Sequence, residues 1–106
     1  MLAAERAAAL ELLGGLEREL AAIIESGSAG ADDEHDPEGA TLAFERQHAA
    51  ALLDRARRRL AEIDVAMVRL ADGRYGKCAV CCGPIGPARL SARPTASTCI
   101  RCARVR

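Results

Sequence analysis

Two Cys-x-x-Cys pairs, Cys78/Cys81 and Cys99/Cys102, with seventeen residues between Cys81 and Cys99, constrain this chain more than any other feature. A thiolate pair spaced this way can turn back on one ion, and two such pairs joined by a loop of this length complete a tetrahedral sulfur shell for one structural Zn2+. Disulfides would need an oxidising compartment. The start of the chain, Met1-Leu2-Ala3-Ala4-Glu5-Arg6, has no basic segment followed by an apolar run, so a reducing, cytoplasmic location is expected. A thioredoxin-like redox pair would sit in a β-α-β pattern, and none surrounds Cys78 or Cys99; iron-sulfur spacings cluster three cysteines closely, which this chain does not do. The fifth cysteine, Cys82, directly follows a ligand. Adjacent residues rarely both reach one tetrahedral ion, so Cys82 reads as a spare thiol, with an alternate-ligand or oxidation-sensitive role as the competing reading.

Composition decides what can be built around such a centre. Half of the 106 residues are apolar, yet Phe44 and Tyr75 are the only aromatics and alanine is abundant, which favours long helices over a thick globular core. The formal net charge of zero hides an asymmetry, because no Asp or Glu occurs from Gly73 onward while Arg74, Lys77, Arg89, Arg93, Arg101, Arg104 and Arg106 do. No apolar run approaches the roughly 20 residues that span a bilayer, so no membrane partner is expected.

Upstream of the cysteines the hydrophobic period is helical. From Met1 to about Ser26, Leu2, Leu13, Leu16, Leu20 and Ile23 form one amphipathic stripe, with Gly14-Gly15 as a point of fraying or bending that costs about 1 kcal/mol per glycine. From Thr41 to about Asp72, Leu42, Ala49, Leu53, Ala56, Leu60, Ile63, Met67 and Leu70 follow three- and four-residue steps, with Arg46 as the polar intruder. This is a coiled-coil seam, predicted to run about 48 Å and to end at Asp72-Gly73. The first helix is the available partner for that seam, so the fold class is mainly α: a long antiparallel helical hairpin followed by a small four-cysteine zinc finger. The predicted division is a hairpin over 1–73 with an acidic tip at 31–40, then a zinc-finger module over 74–106.

The turn between the helices holds Asp32, Asp33, Glu34, Asp36 and Glu38, five acids in seven residues, with Pro37 and Gly39 expected to keep the segment out of continuous helix. One reading is a solvated loop whose charge favours the N-terminus of the next helix. The other is a carboxylate-bearing tip that reaches a cation or a basic surface on a partner. Arg55, Arg57, Arg58 and Arg59 with Asp54 and Glu62 form a charged outer face, and the isolated His35 and His48 receive no ligand role.

The run Tyr75-Gly76-Lys77-Cys78-Ala79-Val80-Cys81, then Ile85-Gly86, Arg89-Leu90-Ser91-Ala92-Arg93-Pro94 and Thr98-Cys99-Ile100-Arg101-Cys102 resembles the zinc-finger signature of the DksA/TraR family. The resemblance covers about the last third of the chain, and a preceding hairpin with an acidic tip suits the same family. It implies a bacterial transcription regulator that binds RNA polymerase rather than promoter DNA, with the coiled-coil tip inserted into the secondary channel. Asp32, Asp33, Asp36 and Glu38 would then be the polymerase-directed tip residues, and Arg89, Arg93 and Arg101 candidate contacts at the channel rim. Some members act together with the alarmone ppGpp. The family tip reads Asp-x-x-Asp-x-Ala; from Asp36 the later positions here are Gly39 and Thr41, and from Asp33 they are Asp36 and Glu38. After the second zinc ligand the family commonly has Gly, which permits a left-handed turn, where this chain has Cys82.

A shell closed by four cysteines leaves no position for water, and no nucleophile triad, catalytic carboxylate pair or phosphate-cradling loop accompanies it, so an enzyme is not expected. Two other functional classes stand beside the polymerase reading. One is a zinc-ribbon nucleic-acid binder, marked by salt-dependent affinity but lacking stacking aromatics; the other is a redox-sensitive structural adaptor.

Overall fold

The computed structural model describes the backbone of residues 1–29 and 37–104. Among these residues there are four helices, α1 (Leu2–Ala29), α2 (Pro37–Ala71), α3 (Pro87–Ala92) and α4 (Ile100–Arg104), and no strand. The first two form the antiparallel hairpin that the hydrophobic period predicts. No helix among the described residues is long and apolar enough to cross a membrane.

Both long helices exceed their expected bounds. α2 begins at Pro37 rather than near Thr41, so Pro37 and Gly39 belong to its first turn instead of an interrupting loop. Proline lacks the N–H that would be orphaned at a helix start, and its fixed φ suits the first helical position. α1 continues past Ser26 to Ala29, and it runs through Gly14-Gly15 without a break. The glycine penalty is small beside the packing of Leu13 and Leu16 on either side of the pair, both of which are half-buried. The tip residues Asp32, Asp33 and Asp36 lie outside the described residues; Glu38 is in the first turn of α2, and its side chain lies outside them too.

The chain divides into two compact units. One comprises Ala8–Arg59. Here Ala9, Ala49, Leu53 and Ala56 are buried, with Leu13, Leu16, Leu20 and Ile23 half-buried. Small and large residues alternate along this seam, which lets two helices lie close without aromatic filling. Phe44 is not part of that core: it is 69% exposed and stacks on His48 one turn later, with ring centroids 6.3 Å apart.

The other unit joins Met1–Ala7 to Leu60–Arg106. Arg6 donates from Nε to Oδ1 of Asp64 at 2.7 Å, an antiparallel tie between the start of α1 and the later part of α2. Both side chains are about half exposed, so this pair contributes at most about 1 kcal/mol. The apolar contribution is larger: Ile63 is fully buried, and Leu2 and Ala66 nearly so. Leu70, expected on the seam, is instead 55% exposed, and Ala66 is buried in its place. α1 begins at Leu2 and its Arg6 is tied to Asp64, so Leu70 lies past the start of the partner helix and has nothing there to pack against.

The end of α2 is a Schellman cap. Gly73 takes φ of 73°. Its N–H donates to the Leu70 carbonyl at 3.2 Å, and the Arg74 N–H donates to the Arg69 carbonyl at 2.8 Å. The left-handed residue is the glycine that the sequence supplies for it, which stops the helix immediately before the first zinc-finger residues.

Candidate metal centre

Each cysteine pair is presented by a different local device. In the first, the Cys78 N–H donates to the Gly83 carbonyl at 2.7 Å and the Cys82 N–H to the Cys78 carbonyl at 3.0 Å, folding 78–83 into a tight knuckle. The Val80 N–H points at the Cys78 sulfur, 3.4 Å away. In the second, Cys99 directly precedes α4 and Cys102 lies within it, so one helical turn directs both side chains the same way. A bond from the Ala79 N–H to the Ser97 carbonyl at 2.8 Å fastens the two halves together.

The four sulfurs of Cys78, Cys81, Cys99 and Cys102 lie within 4.8 Å of one another. Cys81 and Cys99 are separated by 3.8 Å, sulfur to sulfur. A tetrahedral ion with Zn–S bonds of about 2.3 Å requires edges of about 3.8 Å, so the residues present fit zinc. None of the five cysteines forms a disulfide. Cys78 and Cys99 are buried with Ile85, and Leu90, Ala96 and Cys102 pack against them. Among the described residues these few apolar side chains form the core of the module, too little to fold it without a cross-link or metal.

Local polar groups prepare the site for a cation. The backbone N–H of Cys81, then that of Cys99, lowers the Cys78 thiol to about 6. Cys99 is also lowered, first by the Cys102 backbone N–H. Cys102 is pushed up to about 12 by hydrogen bonding with the Cys99 thiol and then with Cys78. Backbone N–H groups thus favour the thiolate at Cys78 and Cys99, whereas the neighbouring sulfurs oppose it at Cys102, where a metal cation would compensate them.

Cys82 is outside the four-sulfur set and exposed. Its φ is 63°, and among the described residues it is the one non-glycine residue with positive φ. The left-handed turn that glycine would permit is kept with a side chain present, so the knuckle is strained rather than reshaped. Cys82→Gly is expected to keep one zinc per chain and raise stability by about 0.5 to 1 kcal/mol, read by urea denaturation, the relief of strain outweighing glycine's extra unfolded-state entropy. Loss of zinc in that variant would make Cys82 a ligand.

The structure also identifies contacts for which the sequence carries no distinct signal. The Tyr75 hydroxyl donates to the Pro94 carbonyl at 2.8 Å. Arg89 donates from Nε to the Thr98 carbonyl at 2.9 Å, bracing the loop before Cys99, while Arg93 and Arg101 are exposed. In each bond the acceptor is a backbone carbonyl, which no side-chain pattern reveals.

Hairpin and four-thiolate centre together define a coiled-coil protein with a C4-type zinc finger. Residues 73–106 match the prokaryotic dksA/traR C4-type zinc finger. Over 44 residues the chain is 52% identical to the RNA polymerase-binding transcription factor DksA of Caulobacter vibrioides, a stretch covering 42% of this chain and 31% of that protein. The DksA of Buchnera aphidicola is 39% identical over 49 residues, 46% of this chain and 32% of that one. The matched stretches thus span about a third of the length of these relatives. The solved structure of transcription factor DksA2 from Pseudomonas aeruginosa is 31% identical, with a TM-score of 0.62, covering 94% of this chain and 78% of that one. The chain belongs to the DksA/TraR family, and its centre holds one structural zinc.

Proposed function

We propose that this chain is a bacterial transcription regulator that binds RNA polymerase in the cytoplasm. The observation that carries this reading is the likeness to DksA2 over 94% of the chain, which extends through the helices as well as the finger. Residues 1–73 act as the arm, and 74–106 form the base. The acidic residues of 31–40 enter the secondary channel, where Asp32, Asp33, Asp36 and Glu38 meet the cations and basic elements of the active centre. The finger, with no acid from Gly73 onward, presents Arg93 and Arg101, and the remaining edge of Arg89, to acidic groups at the channel rim. Zinc closed by four thiolates performs no chemistry there; it holds the base in one conformation.

The test is a pull-down of core RNA polymerase by the zinc-loaded chain, followed by transcription in vitro with and without ppGpp. Co-migration with polymerase and an altered transcript yield are expected. A chain that shifts promoter DNA alone and ignores polymerase would instead be a nucleic-acid binder acting through its basic finger.

A further inference from the structure

We propose that Arg69 is the positioning residue that locks the zinc finger onto the end of α2, acting as a two-pronged latch between the helix and the first metal ligand. Its guanidinium Nη2 donates to the Arg74 carbonyl at 3.2 Å and also to the Lys77 carbonyl. Lys77 immediately precedes Cys78, so one side chain reaches from the last turn of α2 to the peptide bond that leads into the first sulfur-bearing residue. The Arg69 backbone joins the same structure from the other side, its carbonyl accepting N–H groups from Arg74 at 2.8 Å and Tyr75 at 3.1 Å. Segment 74–77 is thus held at both ends by a single residue.

The rest of the segment depends on this hold. The Lys77 N–H returns to the Arg74 carbonyl at 3.1 Å, and the Ile85 N–H donates to the Gly76 carbonyl at 2.9 Å. Lys77 also pairs with Pro84 in an isolated bridge. Without the latch these bonds link the finger to its own knuckle, and α2 is tied across the helix stop by the backbone bonds of the cap and by the exposed Arg74–Asp72 ion pair. Both bonds leave one nitrogen, Nη2, whose N–H groups are fixed in the guanidinium plane at the far end of the side chain; a lysine ends one bond nearer the helix, on a flexible stem. The plain alternative is that Arg69 is a basic residue in the last helical turn, favourable to the helix dipole and nothing more. Lysine would serve that role equally well, and this separates the two accounts.

The decisive experiment is hydrogen exchange by mass spectrometry on the zinc-loaded full chain, comparing wild type, Arg69→Lys and Arg69→Ala. Exchange at the 74–77 amides is expected to rise roughly tenfold in Arg69→Lys, the lower end of what a charge-assisted bond contributes, given its solvent exposure. Ala79 and Cys82, inside the knuckle, keep wild-type exchange, and cobalt-substituted protein keeps its tetrahedral spectrum. Arg69→Ala behaves as Arg69→Lys or worse. Protection at 74–77 equal to wild type in Arg69→Lys overturns the latch, whatever Arg69→Ala does. The consequence for polymerase rests on the function proposed above: a loosened base lowers polymerase affinity without loss of zinc. If wild type does not bind polymerase that function fails, while the exchange result still decides the latch.

Discussion

Replacing Cys99 by alanine is expected to reduce bound zinc from one per chain to nearly none and to unfold the segment from Tyr75 to Arg104, leaving the hairpin helices in place. Cys99 contributes a sulfur 3.8 Å from that of Cys81 and is one of three buried residues at the centre of the module. Structural zinc supplies of the order of 10 kcal/mol of folding free energy in small metal modules, and the apolar cluster here is far too small to replace it. Metal analysis measures the first effect, and loss of amide protection confined to the finger measures the second. A variant that retains stoichiometric zinc would show that three sulfurs suffice.

Acid should act in the same direction as the substitution. Zinc needs thiolates, so its uptake displaces protons and its affinity falls as pH falls. At neutral pH uptake must expel the proton of Cys102, which lies far above neutrality in the metal-free site. Cys78, held below the ordinary thiol range by the Cys81 backbone N–H, yields to protons only at lower pH, so zinc release should grow from neutral pH into the acid range. Release of zinc followed by titration with a colorimetric chelator across this range checks the sign.

The second large effect is expected at the other end of the chain. Charge reversal at Asp33 and Asp36 is predicted to abolish the action on transcription while leaving helix content and zinc unchanged. These acids belong to the five-acid stretch Asp32–Glu38, which carries no apolar stripe in its sequence. If a carboxylate tip works by its field near a metal-bearing active centre, reversing two charges there converts attraction to repulsion. Circular dichroism establishes the retained fold, and transcription in vitro reads the loss. An undiminished effect would move the working surface elsewhere, with the basic finger the next place to look.

Much of the fold is written plainly in side-chain spacing. The Cys-x-x-Cys pairs identify the ligands, because two thiolates at that spacing can turn back on one tetrahedral ion. Ala49, Leu53, Ala56 and Ile63 are all buried as their periodicity predicts. The misses occur where local rules compete. Pro37 and Gly39 look like helix breakers, yet at the first turn of α2 proline loses nothing by lacking an N–H. Leu70 matches the heptad but is exposed, because the partner helix α1 begins at Leu2 and does not extend far enough to cover it. Cys82 occupies a glycine-like conformation that its own side chain argues against.

By itself, then, the sequence determined which four cysteines can close a metal shell, most of the residues that pair the two helices, and where the acids and bases are concentrated. All of these depend on intervals along the chain. Only the tertiary structure decided that Arg69 clasps the Arg74 and Lys77 carbonyls, that Arg89 braces Thr98, and that Cys82 turns outward under strain. The reason is physical: every residue carries a carbonyl, so nothing in the chain's spelling marks which carbonyls a guanidinium will meet once the backbone has turned.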